Sequence, residues 1–440
     1  MDAAAGFSSL RDPRVAARAQ PGLPEVRTLL ERLSLLHPQA IDYALERMDR
    51  LLADLGRPER RLPPVIHVAG TNGKGSTLAI MRTLLEAGGR RVHSYTSPHL
   101  VRFNERIRLA GVHGSAPVDD VVLAQALQRI LTANAGRPLT FFEGTTAAAF
   151  LLFAIFPADV VLLETGMGGR LDATNVVPRP AATAITSLSY DHEAFLGHTI
   201  QAIAAEKAGI LRPGVPAVLA RQSYDAGSGT ILRIADEIGA PLRRADADFS
   251  ALARGDGLSY RAGGARLLPP FPGLSGQHQI DNAATAIATL EMAGFAPSAR
   301  LLRRALPHVR WPGRLQRLNA AGPIFGVGDA THFLLDGGHN PGAADVVARE
   351  VARLDMADPR RTILVFGMLR TKNASGFLRP YAPLVDRTVA LPLAFADCPA
   401  FTPEELCEFA AGLASPVRRR ILSTRLSISR PATARRRRRG

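Results

Sequence analysis

A short glycine-rich segment, Gly70-Thr71-Asn72-Gly73-Lys74-Gly75-Ser76-Thr77, combines residue types that bind phosphate. It lies between an apolar run at 65–69, which predicts a buried strand, and a helical pattern from about 76 to 87. Glycines let backbone N–H groups curve around phosphate, and a helix N-terminus adds positive potential. Lys74 would contact the outer phosphates, and the hydroxyls after it would lie close to a metal ion. The segment predicts a nucleotide-phosphate site, with an ordinary glycine-rich turn as the alternative.

Three polar residues, Ser97, Glu164 and His192, stand at or just beyond the ends of other predicted strands. A parallel sheet presents its functional loops at the carboxyl ends of its strands, so these side chains are expected near the glycine-rich segment. The triphosphate of ATP needs a divalent ion to neutralise and orient it, and oxygen ligands suit Mg²⁺. The alternatives are a turn hydroxyl for Ser97 and a core or turn histidine for His192.

The elements that must position these residues alternate between strand and helix. Residues 91–95 predict a second strand, short β-type runs at 160–164, 182–186 and 217–220 predict further strands, and helical patterns are found around 144–155 and 199–209. This alternation predicts an α/β fold with a mostly parallel sheet covered on both faces. We expect a disordered extension at 1–23, an ATP-binding domain at 24–306, a smaller α/β domain at 307–414 and a disordered tail at 415–440.

The formal net charge of +15 resembles that of a nucleic-acid-binding protein, but its location argues otherwise. Residues 416–440 hold ten arginines and no acidic residue, so +5 remains on residues 1–415. A charge of that size suits attraction of small anions. Two cysteines exclude a disulfide scaffold and a four-cysteine metal site. No apolar run is long enough to span a membrane. We expect a cytoplasmic monomer that binds neither nucleic acid nor membrane.

The shortened loop resembles the ATP-binding loop of the Mur ligase superfamily. Within it, the chain resembles the folylpolyglutamate synthase/dihydrofolate synthase family, in its bifunctional bacterial form. Supporting segments follow in the family's order, among them Thr96-Ser97-Pro98-His99-Leu100 and Asp336-Gly337-Gly338-His339-Asn340-Pro341. Others lie at 36–37, 41–42, 104–107, 142–143, 164–175, 191–192, 206–210, 282–284 and 312–314. The resemblance covers about residues 30–400.

The resemblance implies a Mur-ligase-like central ATPase domain and a smaller Rossmann-like C-terminal domain. It implies an ATP-dependent ligase that joins L-glutamate to dihydropteroate or a reduced folate through an acyl phosphate. It makes Ser97, Glu164 and His192 the Mg²⁺ ligands, and Lys74, Lys207 and His192 the catalytic residues. Lys207 matches the lysine that family members carbamylate with CO₂, although a lysine on a helix is otherwise most often a solvated surface charge.

The resemblance also implies two sets of binding residues. The nucleotide-contacting set is Thr71, Asn72, Gly73, Lys74, Gly75, Ser76, Asn282, Arg314, Asp336 and His339. The substrate-contacting set is Leu35, Leu36, His37, Pro38, Phe142, Glu143, Gly144, Thr145 and Arg170. An aromatic ring such as Phe142 stacks on a flat heterocycle, and a carboxylate such as Glu143 accepts from its amino group. The alternatives are a core phenylalanine for Phe142, a linker ion pair for Arg314, and an Arg170–Asp172 pair that only shapes its own loop.

The chain departs from the family after about residue 414, where arginine, serine and threonine replace the expected strand–helix units. We expect an incomplete C-terminal domain from a truncated or frame-shifted reading, with a basic arm for acidic partners as the alternative. Two rival functions stay open: another Mur-type amide ligase for cell-wall precursors, and a phosphate-loop ATPase or kinase with a nucleic-acid-binding tail. The short region before the glycine-rich loop argues against a cell-wall ligase. An ATPase or kinase does not explain Lys207 or the 336–341 segment.

Overall fold

The fold is built around one large sheet. The computed structural model describes residues 24–37, 44–318, 331–393 and 399–413. The sheet strands are β1 (Val65–Ala69), β2 (Val92–Tyr95), β3 (Ile107–Leu109), β4 (Ala116–Pro117), β5 (Val160–Glu164), β6 (Ala182–Ile185), β7 (Ala217–Leu219) and β8 (Leu242–Arg244). Their order is β4-β3-β2-β5-β1-β6-β7-β8. In this spatial order, the strands β2, β5, β1, β6, β7 and β8 are paired in parallel. The strands β3 and β4, at one edge of the sheet, pair antiparallel. The predicted mostly parallel α/β sheet is confirmed.

Both faces of the sheet are apolar because successive side chains of a strand point to opposite sides. Val65 and Val161 contribute to one buried cluster, whereas Ile66, Val68 and Leu162 contribute to another on the opposite face. Strands buried on both faces have nearly continuous apolar sequences, as in residues 160–163 of β5.

Helices cover the two faces. One face packs against α1 (Pro24–Ser34), α2 (Glu46–Asp54), α4 (Asp120–Asn134) and α5 (Phe141–Ile155). The other packs against α3 (Lys74–Ala87), α9 (His278–Met292), α10 (Ala299–Ala305) and the antiparallel strands β9 (Phe249–Arg254), β10 (Gly257–Ala262) and β11 (Ala265–Leu267). A third cluster joins β6 and β7 to α7 (Ile200–Ala208) and α8 (Asp225–Ile238), and the four-residue α6 (Glu193–Leu196) precedes α7.

The chain divides into two compact units, Met1–Gly337 and Gly338–Gly440. The first unit also contains the antiparallel pair β12 (Gln316–Leu318) and β13 (Phe333–Leu335). The second contains α11 (Pro341–Ala357), β14 (Ile363–Phe366), α12 (Ala374–Leu378), β15 (Arg387–Ala390) and α13 (Pro403–Leu413), with β14 and β15 parallel. The domain boundary expected at 306/307 lies within the first unit and stays a prediction. The expected N-terminal extension and tail lie outside the described residues.

Among the described residues, no helix has the length and apolar character that crossing a membrane requires.

Candidate active site

Four neighbouring strands bring the candidate residues to one edge of the sheet. β2, β5, β1 and β6 are adjacent and parallel. Ser97 follows the carboxyl end of β2, and Glu164 is the last residue of β5. The glycine-rich loop follows β1, and His192 lies in the segment after β6. Parallel strands end at the same edge, so the loops that the sequence singled out share one face of the molecule.

The glycine-rich loop has the backbone conformation that its glycines allow. Gly70 has φ +144° and Gly73 has φ +89°, and Gly73 is the N-cap of α3. No side chain caps this helix end, so its first N–H groups point outward without a side-chain acceptor. The hydroxyls of Ser76 and Thr77 are buried and have no hydrogen-bond partner among the described residues. A helix terminus with uncapped N–H groups and unpaired hydroxyls suits an anionic group such as phosphate.

Replacing Gly70 with alanine is expected to destabilise the protein by about 3 kcal/mol, because a strained φ and a steric clash act together. A Cβ atom there would lie 1.8 Å from Oγ1 and 3.0 Å from the backbone N of Thr186. Thermal unfolding of Gly70→Ala measures the effect. The matched control is Gly229→Ala in α8, where a Cβ atom meets nothing within 4 Å and a helix-favouring residue should stabilise slightly. Equal melting temperatures for Gly70→Ala and the wild type would contradict the expectation.

Two ammonium groups converge on one carbonyl of the loop. Lys74 Nζ donates to the carbonyl oxygens of Gly70 (2.9 Å) and Thr71 (3.3 Å), and Lys207 Nζ donates to the same Gly70 oxygen (3.0 Å). Lys207 is 4% exposed. Its burial, together with the charge of Lys74, lowers the pKa of Lys207 to about 7. The lysine that sequence reasoning alone would place on the surface is therefore buried beside the phosphate loop.

Glu164 places a buried carboxylate beside this loop. It is 4% exposed, and its Oε2 accepts a hydrogen bond from the Ser97 amide at 3.2 Å. Burial raises the pKa of Glu164, whereas the charges of Lys74 and Arg314 and the Ser97 amide act in the opposite direction. The structure therefore brings Ser97, Glu164 and Lys74 together.

His192 is placed differently from the other predicted ligands. It has left-handed backbone geometry (φ 54°) before α6, its side chain is 41% exposed, and its Nε2 lies 3.9 Å from Asp191 Oδ1. In the described part of the chain, no three or more His, Cys, Asp and Glu side chains lie close enough to hold a metal ion. Mg²⁺ commonly uses one or two carboxylates together with water and phosphate oxygens. Glu164 and the unpaired hydroxyls of Ser76 and Thr77 fit an ion of that kind.

Of the residues predicted to contact the nucleotide, Asn282 lies against the start of α3. A Cβ atom at Gly73 would lie 2.5 Å from Asn282 Oδ1, and one at Gly75 would lie 2.7 Å from Trp311 Nε1, so α9 and Trp311 pack directly on the loop. Asp336 Oδ2 accepts from the Leu315 amide at 2.9 Å. This bond ties the segment that carries Arg314 to the end of the first unit. His339 is exposed in the second unit, and its role stays a prediction.

The first segment predicted to contact the substrate, 35–38, is only partly described. Leu35 is 84% exposed, Leu36 packs against the core while its carbonyl accepts from the Leu139 amide at 3.0 Å, and His37 is exposed. Pro38 lies outside the described residues. An exposed leucine beside a partly buried one leaves an apolar surface available at the end of α1.

Phe142, in the second segment predicted to contact the substrate, packs against the loop after β5. Its ring centroid lies 5.9 Å from that of Tyr95, and a Cβ atom at Gly166 would lie 2.5 Å from Phe142 Cζ. The ring is half-buried, so both its predicted stacking role and its alternative as a core residue fit this position.

The three residues after Phe142 have structural contacts of their own. Glu143 forms a capping box with Thr140 and an ion pair with Arg47 at 3.0 Å, so both of its carboxylate oxygens have protein partners. Gly144 lets Leu33 of α1 approach, because a Cβ atom there would lie 2.6 Å from Leu33 Cδ1. Thr145 is fully buried and its Oγ1 donates to the Phe142 carbonyl at 3.2 Å. Direct substrate contacts by these three residues stay predictions.

Arg170 has a different partner from the one that the sequence suggested. It pairs with Glu206 of α7, with Nη2 2.8 Å and Nε 3.0 Å from Oε1, rather than with Asp172. Asp172 instead accepts from Met167 and Thr174 within the same loop. The Arg170–Asp172 alternative was wrong because α7 lies closer to Arg170 than the chain spacing reveals.

Comparison with known proteins adds independent findings. A scan of protein-family models gives no match. The dihydrofolate synthase/folylpolyglutamate synthase of Bacillus subtilis is 37% identical over 371 residues, covering 80% of this chain and 80% of that protein. The chain belongs to the dihydrofolate synthase/folylpolyglutamate synthase family. As the sequence predicts, it is an ATP-dependent ligase of folate metabolism.

Two solved structures of the same family agree in fold. E. coli FolC in complex with DHPP and ADP has a TM-score of 0.77 and 32% identity, covering 91% of this chain and 89% of that chain. A bifunctional folylpolyglutamate synthase/dihydrofolate synthase with Mn, AMPPNP and L-glutamate bound has a TM-score of 0.76 and 33% identity, covering 90% of this chain and 89% of that chain. The Mur-ligase-like fold is thereby confirmed, and the cell-wall ligase and kinase alternatives are not favoured.

Sequence reasoning missed several residues that shape this synthase site. Ser187 accepts the amide N–H groups of Thr71 and Asn72 at 2.9 and 3.2 Å, and Thr71 Oγ1 exchanges hydrogen bonds with Ser189. Trp311 forms a wall against the start of α3. Only Trp311 carried a signal, as the single tryptophan of the chain directly before the Pro312-Gly313-Arg314 motif.

Proposed function

We propose that the chain adds L-glutamate to dihydropteroate and to folylpolyglutamate acceptors through an acyl phosphate made with ATP. The observation that carries this proposal is the convergence of Lys74 and Lys207 on the Gly70 carbonyl, beside the buried Glu164 carboxylate. A phosphoryl-transfer site needs clustered positive charge and a carboxylate that can share a metal ion with phosphate, and this edge of the sheet has both. The cytoplasm, where ATP is available, is the proposed location.

The first step is attack of the acceptor carboxylate on the γ-phosphate in line with the departing ADP. The Lys74 ammonium can replace its hydrogen bonds to the Gly70 and Thr71 carbonyls by hydrogen bonds to phosphate oxygens. The uncapped N–H groups of α3 bind the negative charge of the same phosphates. Glu164, Ser97 and His192 are the proposed ligands of the divalent ion, which neutralises and orients the triphosphate when bound.

The second step is attack of the glutamate amine on the acyl phosphate, with release of inorganic phosphate. No protein nucleophile is required, so the contribution of the chain is positioning and electrostatic stabilisation. Phe142, Leu35, Leu36 and the loop carrying Arg170 are the proposed acceptor surface. Support comes from the related structures that contain DHPP and L-glutamate.

Lys207 is proposed to react with CO₂ and become a carbamate that acts as a further anionic ligand beside the phosphates. The reaction requires an unprotonated amine, and burial supplies one by lowering the pKa of Lys207 to about 7. A negative carbamate next to Lys74 also replaces the like-charge contact of two ammonium groups by an attractive one.

Ligase kinetics test the proposed function. With ATP and Mg²⁺, ADP release should depend on L-glutamate and should occur both with dihydropteroate and with a reduced folate that already carries glutamate. Chromatography of the products should show one added glutamate for each ADP released.

D-Glutamate in place of L-glutamate controls for uncoupled ATP hydrolysis. A folded protein that releases no ADP with either acceptor would overturn the proposal, and activity with only one acceptor would restrict it to that reaction.

A further inference from the structure

A buried histidine of β1 has no role in the proposed reaction, yet it reaches the loop that carries Arg170. His67 is 1% exposed, and its Nε2 lies 2.8 Å from Thr174 Oγ1. Thr174 Oγ1 in turn donates to Asp172 Oδ1. All three side chains are buried, so they form a closed polar chain inside an apolar cluster.

The direction of these hydrogen bonds is fixed by chemistry. Burial raises the pKa of Asp172, but the hydrogen bonds from Thr174 Oγ1 and from the amides of Met167 (2.9 Å) and Thr174 (3.0 Å) act in the opposite direction and favour the ionised, accepting carboxylate. The single hydroxyl proton of Thr174 is used toward Asp172, so the Thr174 oxygen can only accept from His67. His67 must therefore carry its proton on Nε2 and act as a donor.

The loop at 166–175 is thus held at two sides. On its outer side, Arg170 pairs with Glu206 and the Asn175 side-chain amide donates to the Gly209 carbonyl at 2.9 Å. On its inner side, the Asp172 carboxylate accepts hydrogen bonds from the backbone of the loop. Among the contacts described for it, this carboxylate is linked to β1 only through the Thr174 hydroxyl, which is hydrogen-bonded to His67.

β1 also ends at Ala69, directly before Gly70 of the phosphate loop. One strand therefore sets the position of the phosphate loop by its end and of the 166–175 loop by its histidine. We infer that His67 is a positioning residue that, through Thr174 and Asp172, holds the acceptor-binding loop in register with the phosphate loop. This inference rests on the proposed function for the identity of the acceptor.

The chain offers a matched set of variants. Thr174→Val keeps the shape of the side chain and removes the two hydrogen bonds of the hydroxyl, to His67 and to Asp172. Thr174→Ser keeps the hydroxyl. His67→Leu removes the donor at similar volume. Thr183→Val is the control, because Thr183 pairs with His67 in the neighbouring strand and is equally buried, but its Oγ1 has no hydrogen-bond partner among the described residues.

The first measurement is amide hydrogen exchange without ligands. Peptides covering 166–175 should exchange at least about tenfold faster in Thr174→Val and His67→Leu, with peptides covering 70–77 unchanged. Thr174→Ser and Thr183→Val should match the wild type. Unchanged exchange of 166–175 in both Thr174→Val and His67→Leu would overturn the inference.

The second measurement is steady-state kinetics. Thr174→Val and His67→Leu should raise the KM for dihydropteroate about tenfold and leave the KM for ATP within about twofold, since only one loop loses its register. Equal rises of both KM values, accompanied by a lower melting temperature, would show a merely structural role and overturn the inference. So would faster loop exchange with unchanged acceptor KM. An inactive wild type would instead contradict the proposed function, while the exchange experiment still decides whether His67 holds the loop.

Discussion

Replacing Lys74 with methionine is expected to lower kcat by about a thousandfold or more, which corresponds to roughly 4 kcal/mol of transition-state stabilisation. Methionine keeps the apolar stem and removes the charge that would face the γ-phosphate. Lys74 lies at the first position of α3, where the backbone N–H groups would bind phosphate but could not follow the charge as it moves. The ammonium is mobile enough to do so, because among the described residues its hydrogen bonds go to the Gly70 and Thr71 carbonyls alone.

The measurement is glutamate-dependent ADP release at saturating ATP. Lys372→Met, in the second unit, is the control for removing a lysine elsewhere. The melting temperature of Lys74→Met should not fall, because the charge of Lys74 is one cause of the lowered pKa of Lys207 and its removal relieves repulsion. A kcat within tenfold of the wild type would refute the assignment of Lys74 to the transferred phosphate.

The arrangement of the phosphate site was predictable from the sequence because it depends only on local pattern. An apolar run, a glycine-rich turn and a helical period are consecutive in the chain, and parallel strands always end at one edge. The helix begins at Lys74, two residues before the predicted start, because Gly73 is the N-cap. That shift places the lysine in the helix itself and leaves the predicted site unchanged.

Contacts between distant segments were not predictable in the same way. Glu143 pairs with Arg47, which is 96 residues away, and nothing in the spacing of either residue announces the pair. The burial of Lys207 likewise depends on α7 packing beside the loop after β1. Such placements follow from tertiary packing, which a single sequence does not encode in any short pattern.

His67 is a polar residue within an otherwise apolar predicted strand, and such an exception indicates a buried interaction. The run Val65-Ile66-His67-Val68-Ala69 predicts a buried strand correctly, but a histidine is an unfavourable choice for such a strand. Burial lowers the pKa of His67 to about 3, so the ring is neutral. A polar residue within a predicted core strand is therefore a reason to expect a buried hydrogen-bond partner, although its identity, Thr174, comes only from the fold.

Lys207 provides the second prediction of large effect. If a carbamate on Lys207 completes the phosphate site, Lys207→Ala should lower kcat by about a thousandfold, and small carboxylates such as acetate should restore part of the loss. Acetate can occupy the space that alanine leaves and supply the missing anion. Lys207→Met fills the same space with an apolar side chain, so it should be equally impaired but not rescued. Lys207→Met should retain the melting temperature of the wild type because it fills the same buried space, whereas the cavity in Lys207→Ala should lower it.

Labelling with ¹³C-bicarbonate tests the chemistry directly, and its pH dependence follows from the cause of the lowered pKa. Burial and the charge of Lys74 lower the pKa of Lys207 from 10.5 to about 7, so the free amine is about one-tenth of the total at pH 6 and about nine-tenths at pH 8. A carbamate signal should therefore grow as the pH rises through 7, and it should be absent in Lys207→Met. Since Lys74 contributes to the low pKa, Lys74→Met should shift the rise to higher pH. If the wild type takes up no label at pH 8 and Lys207→Met retains kcat, the buried amine only donates to the Gly70 carbonyl, and Glu164 without a carbamate supplies the buried negative charge that faces the divalent ion.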